Sequence, residues 1–229
     1  MPLILHIDTA TENAIVCISK NEDIIHVITN GKQKDHASFL QPAIKRLLEK
    51  SNISIHQLNA VSVTSGPGSY TGLRVGMASA KGFCYALKIP LITLNTLEVM
   101  ALSVIEGTNE PGLYLYCPMI DARRMEVFTA IFDDRLNEIQ SPCAIVLEQS
   151  SFDKFTQQKQ IIFCGSGAKK FIDLSPTHSN FIFNQSAIAA SALVKISAKK
   201  LEQEKFAEVS TAEPMYIKDF ILVKNKIGN

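Results

Sequence analysis

Tryptophan is missing from this chain of 229 residues, and so are a polybasic block, a C-x-x-C pair and an apolar run long enough to span a bilayer. Each gap removes a class of function. A net charge of +1 supplies no global field toward nucleic acid or an anionic membrane, so an RNA role would need another chain to supply most phosphate contacts. Lys218, Lys224 and Lys226 are spread out and read as a solvated tail. The five cysteines (17, 84, 117, 143 and 164) are odd in number and four lie inside apolar runs, which suits small buried hydrophobes in a reducing cytosol. Asp8 interrupts the first apolar run early, unlike a signal peptide, and the expectation is a cytoplasmic protein with no membrane partner. The five histidines (6, 26, 36, 56 and 178) form no H-E-x-x-H, no H-x-x-x-H and no Cys/His cluster, which argues against a catalytic metal. There is no G-x-S-x-G, and Asp35, His36 and Ser38 stand where a helix begins, where capping explains them better than a triad.

What is present is periodic. Leu3 to Ile7 reads as a buried strand ending at Asp8, and Ala14–Ser19 and Ile24–Thr29 continue an antiparallel meander. From His36 to Lys50 the period changes: Leu40, Ile44, Leu47 and Leu48 share one helical face, with Pro42 expected in or near the first turn. Ser54-x-x-Gln57 has the form of a capping box. A strand (Ala60–Thr64), a helix (Thr71–Leu87), a strand (Ile89–Thr93) and a helix capped at Asn95 or Thr96 and running to Ile105 follow. The turn formers from Glu106 to Gly112 are the expected linker. Beyond it the pattern restarts with strands Leu113–Ile120 and Glu126–Phe132, a helix near Gln149–Thr156, a strand Ile161–Cys164 and an amphipathic helix Ser186–Glu202. Ile7-Asp8-Thr9-Ala10 and Ile120-Asp121-Ala122-Arg123 stand at the same point of two strand-turn-strand units, about half the chain apart. The expectation is a duplicated α/β fold with lobes 1–106 and 107–229, the C-terminal segment being able to return to the first lobe.

The densest signal is Ser65-Gly66-Pro67-Gly68-Ser69-Tyr70-Thr71-Gly72-Leu73-Arg74-Val75-Gly76, a strand end, a glycine loop and a helix start. It is not a Walker A loop, because no lysine follows a correctly spaced glycine, and its third glycine comes one residue too late for G-x-G-x-x-G. Along the helix Leu73, Met77, Ala80, Cys84 and Leu87 form an apolar stripe, and Gly72, Gly76, Ser79 and Gly82 a stripe of small residues. Each helical glycine costs roughly 1 kcal/mol against alanine, and a closely crossing partner helix is the simplest compensation. Anion binding at the helix start beside Arg74 ranks second. Asp8 and Asp121 stand where a duplicated nucleotide-binding fold presents metal- or phosphate-facing groups, or where each simply caps a turn. Thr9-Ala10-Thr11 and Ala122-Arg123-Arg124 lack the glycine a phosphate-gripping hairpin needs, which weakens the nucleotide reading. Gly165 and Gly167 either face an adenosine or form an ordinary strand-to-helix turn, the latter being favoured.

Together Ile7-Asp8-Thr9-Ala10-Thr11, the run Gly66–Gly76, Ile120-Asp121-Ala122-Arg123 and Glu213-Pro214-Met215-Tyr216 resemble the TsaB (YeaZ) family of bacterial tRNA threonylcarbamoyladenosine biosynthesis proteins. The resemblance spans nearly the whole chain. It implies a two-lobed actin-like (ASKHA, duplicated RNase H-like) α/β fold. It also implies a non-catalytic partner of TsaD, the metal-dependent paralogue that transfers the threonylcarbamoyl group to the adenosine beside the anticodon. TsaE, a small ATPase, joins the complex; the chain alone forms a homodimer, and tRNA is met only through the complex. No cofactor is then held tightly by this chain, ATP and a metal ion being used through partner subunits. The implied interface lies on the first two helices, at Leu40, Ile44, Leu47, Tyr70, Gly72, Leu73, Val75, Gly76, Ser79, Gly82 and Phe83. Asp8, Thr9, Asp121, Gly165 and Gly167 are the candidates for a nucleotide-facing set, which belongs to the alternative, an actin-like phosphotransferase or ATPase.

Overall fold

The computed structural model of the protein describes residues 1–31, 35–110, 112–156, 159–175, 179–185 and 187–217. The first sheet is built from β1 (Leu3–Asp8), β2 (Ala14–Lys20), β3 (Asp23–Asn30), β4 (Ala60–Gly66) and β5 (Leu91–Asn95), in the order β3-β2-β1-β4-β5. β1 is antiparallel to β2 and parallel to β4. The second sheet repeats this with β6 (Tyr114–Asp121), β7 (Glu126–Phe132), β8 (Glu138–Val146), β9 (Gln160–Cys164) and β10 (Phe181–Asn184), ordered β10-β9-β6-β7-β8. Again the first strand is antiparallel to the second and parallel to the fourth. Both lobes therefore carry the same strand arrangement, a duplicated α/β unit.

The helices divide between the faces. α1 (His36–Ser51) and α2 (Tyr70–Leu87) cover one face of the first sheet, where Leu40, Ile44, Leu47, Met77 and Cys84 meet Leu5, Ile7, Val16 and Ile18. Strand alternation sends Ile4 and His6 to the other face, against α3 (Thr96–Ile105) and α5 (Ala190–Glu202). α3 also touches the second sheet through Leu97, Met100 and Val104, so one helix carries the contact between lobes. In the second lobe α4 (Ala168–Leu174) is the one helix among the described residues on the outer face, and Phe152, Phe163, Phe171 and Phe181 fill the space with ring centroids 4.9–5.3 Å apart.

Chain past α5 returns to the first lobe. Ala207 N–H donates to Leu91 O at the open edge of β5, Lys81 Nζ donates to Ala212 O, and Met215 N–H donates to Ser65 O at 2.6 Å. The segment from Ala207 to Tyr216 thus straps α2 along one flank.

Several expectations shift. Pro42 lies in the second turn of α1, not the first. β5 begins two residues late, after Pro90. The helix expected near Gln149–Thr156 is a single 3-10 turn, Asp153–Phe155. β8, with Pro142 inside it, and the four-residue β10 carry no periodic signal that the sequence would display. Ser186, His178 and the lysines from Lys218 onward lie outside the described residues.

Candidate functional site at the glycine loop and interlobe cleft

Asp8 closes β1. Its Oδ1 accepts the Ala10 N–H at 3.0 Å and the Thr64 hydroxyl at 2.7 Å, and its Oδ2 has no partner among the described residues. Complete burial pushes this carboxyl above its usual range, against the Ala10 amide, the Thr64 hydroxyl and the charge of His36. Asp121 closes β6 in the same way: Oδ1 accepts the Arg123 N–H at 2.6 Å, and the Lys170 ammonium sits 2.7 Å from it. Partial desolvation pulls this carboxyl up, but the Lys170 hydrogen bond, the Arg123 amide and the Lys170 charge together hold it below the ordinary range. Each acid folds its own turn by binding the amide two residues on, so that amide is not available to grip a phosphate.

The glycine run sits on the first of these turns. Ser69 N–H donates to Ala10 O at 2.7 Å, and Thr9 Oγ1 donates to Gly72 O at 2.7 Å. A methyl group at Gly68 would meet the Ala10 carbonyl, one at Gly72 the Thr9 carbonyl, and one at Gly76 the Thr9 hydroxyl at 2.5 Å. A methyl group at Gly82 would meet nothing within 4 Å. The small-residue stripe is therefore two features: Gly72 and Gly76 serve close packing inside the lobe, and Gly82 faces outward.

This corrects the expected interface. Leu40, Ile44 and Leu47 are at most 2% exposed within the first core, Leu73 is buried at the wall of the interlobe cleft, and Gly72 and Gly76 are buried against Thr9, so none of these six is on the outward face. The outward set is Val75, Ser79, Gly82 and Phe83, joined by the exposed Ala78 and Ala86, with Tyr85 83% exposed beside them. Gln41 Nε2 donates to Ser79 Oγ at 2.9 Å and ties α1 to this face. A hollow of about 610 Å³ adjoins it, lined by Leu48, Ile53, Ile55 and Phe83.

Between the lobes lies a cleft of about 1500 Å³. Thr11, Ser69, Tyr70, Thr71 and Tyr216 line its N-terminal side, and Asp121, Arg123, Ser166 and Lys169 its C-terminal side. Of the nucleotide-facing candidates, Asp121 and Gly165 reach the cleft. Asp8 and Thr9 are fully buried, and Gly167 is packed against Val127. Tyr70 is not part of the α2 outward stripe; its ring stacks obliquely on Tyr216 with centroids 5.6 Å apart. The Arg74 guanidinium lies 4.1 Å from the Tyr70 ring centre, and its Nε donates to the Tyr216 hydroxyl at 3.1 Å. Sequence reading missed this cluster because 142 residues separate Arg74 from Tyr216.

Burial pushes the thiols of Cys17 and Cys164 up to about 12 and that of Cys84 to about 11, so these three are not nucleophiles at neutral pH. Among the described residues no group of three His, Cys, Asp or Glu side chains is placed to hold a metal ion. No helix among them is long and apolar enough to cross a membrane.

Residues 23–222 match the sequence model of the family described as TsaD: tRNA N6-adenosine threonylcarbamoyltransferase. Over 233 aligned positions, covering 98% of each chain, the protein is 27% identical to the tRNA threonylcarbamoyladenosine biosynthesis protein TsaB of Escherichia coli strain K12. The chain belongs to this family, in its TsaB (YeaZ) branch. It is also 32% identical to TsaB of Bacillus subtilis strain 168 over 129 residues, 56% of this chain and 54% of that one. The TsaB (YeaZ) fold is recognisable in YeaZ from Pseudomonas aeruginosa, which superposes with a TM-score of 0.79 over 94% of this chain and all of that one, at 21% identity.

Proposed function

We propose that this chain is the non-catalytic subunit that binds and activates a TsaD-type paralogue in the complex placing a threonylcarbamoyl group on the adenosine next to the anticodon of tRNAs. The observation that carries the reading is the family membership combined with closed acid turns: the two aspartates that an enzyme of this architecture would use are each bound to their own backbone. The paralogue then supplies the metal-dependent transfer, TsaE the ATP turnover, and the cytoplasm the setting. The outward face of α2, with Val75, Ala78, Gly82 and Ala86, is the docking surface this reading uses, and the same face serves a homodimer in the absence of the paralogue. Small side chains there let a partner helix approach closely.

A Gly82→Leu variant adds bulk where the structure has open space. It is expected to keep the wild-type urea midpoint and to lose co-elution with the paralogue on gel filtration; unchanged co-elution would remove this face from the proposal. The alternative, an ATP-dependent phosphotransferase, requires Mg-ATP binding by the isolated chain that is lost in Asp8→Asn. Calorimetry on the pure protein is expected to show no heat of binding.

A further inference from the structure

Cationic and aromatic side chains meet the interlobe cleft from opposite sides. The β6–β7 hairpin tip carries Arg123 and Arg124 at φ 70° and 46°, left-handed conformations that such a tip normally gives to asparagine or glycine. Both arginines are exposed, and among the described residues neither has a carboxylate within ion-pair distance. Of the two, Arg123 lines the cleft, as does Lys169, and Arg124 follows Arg123 on the exposed tip. The carboxylates on the cleft walls are Asp121, held by Lys170, together with Glu12 and Asp173. Across the cleft stand Tyr70 and Tyr216, 41% and 38% exposed, with Arg74 against them.

In each acid turn the amide two residues on, Ala10 N–H or Arg123 N–H, is bound to its own carboxylate and is not available to the phosphates of a free nucleotide. Unpaired cations facing exposed rings across an open groove are the recognition chemistry of single-stranded nucleic acid: cations track the phosphodiester and bases stack on the rings. We propose that the mouth of the cleft holds a single-stranded RNA segment, with its phosphodiester on Arg123 and Lys169 and running out past Arg124 at the hairpin tip, and a base against the Tyr70–Tyr216 pair. The proposal rests on the assignment to tRNA modification, and it adds a direct RNA contact by this chain.

The test is fluorescence anisotropy with a labelled seven-nucleotide single-stranded RNA over a salt series, using the full chain and its complex with the TsaD-type paralogue. The Arg123→Gln/Arg124→Gln double variant is expected to bind at least tenfold more weakly. Its plot of log affinity against log salt is expected to flatten by about 1.4, since each single-strand phosphate contributes about 0.7. Tyr70→Ala is expected to weaken binding at least fivefold and leave the salt slope unchanged. Absence of binding by the wild type, equal affinity of the double arginine variant, equal affinity for a duplex of the same sequence, or displacement of the RNA by equimolar ATP would each overturn the proposal. Neither arginine belongs to the outward face of α2 carrying Val75, Ala78, Gly82 and Ala86, so co-elution of the double arginine variant with the paralogue separates the two readings. Lost RNA binding with intact co-elution supports this one, and failure of the wild type to co-elute counts against the subunit assignment.

Discussion

The two lobes share one strand order but solve the same positions with different chemistry. At the end of the first strand the N-terminal lobe buries Asp8 completely, whereas the C-terminal lobe leaves Asp121 half exposed and neutralises it with Lys170. Two residues earlier the first lobe has His6, fully buried, with Ser62 and Ser197 at Nδ1 and Ser19 at Nε2; the second lobe has the apolar Met119. After the fourth strand the first lobe runs into an 18-residue helix seated on Thr9, and the second into a helix of seven residues. The first lobe has become a tightly locked scaffold carrying the long helices. The second keeps Asp121, Arg123 and Gly165 at the cleft. At equivalent positions the first lobe turns its acid inward to packing and the second turns its acid toward the cleft.

Substitutions that exchange these roles test the contrast, and the glycines have the largest expected effect. Gly72→Ala drives a methyl group into the Thr9 carbonyl, which is backbone and cannot move aside, and is expected to cost about 4 kcal/mol in urea unfolding. Gly167→Ala meets Val127 Cγ1 at 2.7 Å and Met119 Cβ at 3.0 Å, and a side-chain adjustment limits the loss to about 2 kcal/mol. Equal costs would break the contrast between a locked and an adaptable lobe.

His6 comes next. Burial lowers its pKa from 6.5 to about 3, so between these values the unfolded chain binds a proton that the native protein does not. Its contribution is full above pH 6.5 and is lost as pH falls toward 3, by about 1.4 kcal/mol per pH unit, or about 2 kcal/mol at pH 5. Urea titrations at several pH values are expected to show this one-proton slope, and His6→Asn is expected to flatten it. An unchanged slope in the variant would place the acid sensitivity elsewhere.

The smallest effects separate the two acids. Asp8 has a raised pKa in the folded protein, so burial of its charge costs stability as pH rises above 3.8 and through that raised value. Asp8→Asn is therefore expected to equal or exceed the wild type by about 1 kcal/mol at pH 7.5, with the difference vanishing below pH 3.8. Asp121 has a lowered pKa, so it stabilises above pH 3.8 and loses that contribution as pH falls through its lowered value. Its side chain is 45% exposed and solvent screens the pair, so Asp121→Asn is expected to cost only about 0.5 kcal/mol at pH 7.5. Thermal melts of the two variants at pH 7.5 and pH 3.5 measure both signs.

Much of the fold was legible because hydrophobic period survives in single elements. The meander of β1 to β3, the capping box at Ser54, the helix ending at Leu87 and the restart after Gly112 all follow from local pattern. The duplication was visible in Ile7-Asp8 and Ile120-Asp121. What the sequence hides is direction. A helical wheel places Gly72, Gly76 and Gly82 on one side, but only the approach of Thr9 reveals that two of them point inward. Leu40, Ile44 and Leu47 were recognisable as one apolar face, and whether such a face meets a partner or the chain's own sheet is a tertiary fact. β8 and β10 pair at sheet edges with irregular register or in very short runs, leaving no alternation to read. The Arg74–Tyr70–Tyr216 cluster and the return of α5 to the first sheet are contacts across more than a hundred residues, beyond any periodic signal.

The central claim is that this chain enables a reaction it does not itself perform. Its most direct test is reconstitution of tRNA modification from purified TsaD-type paralogue and TsaE with ATP, bicarbonate, threonine and the separate threonylcarbamoyl-AMP synthase, with and without this chain. The account predicts modified adenosine only when the chain is present together with the paralogue, and none from the chain with the synthase alone. Modification at the same rate in its absence, or turnover by the chain without the paralogue, would contradict it.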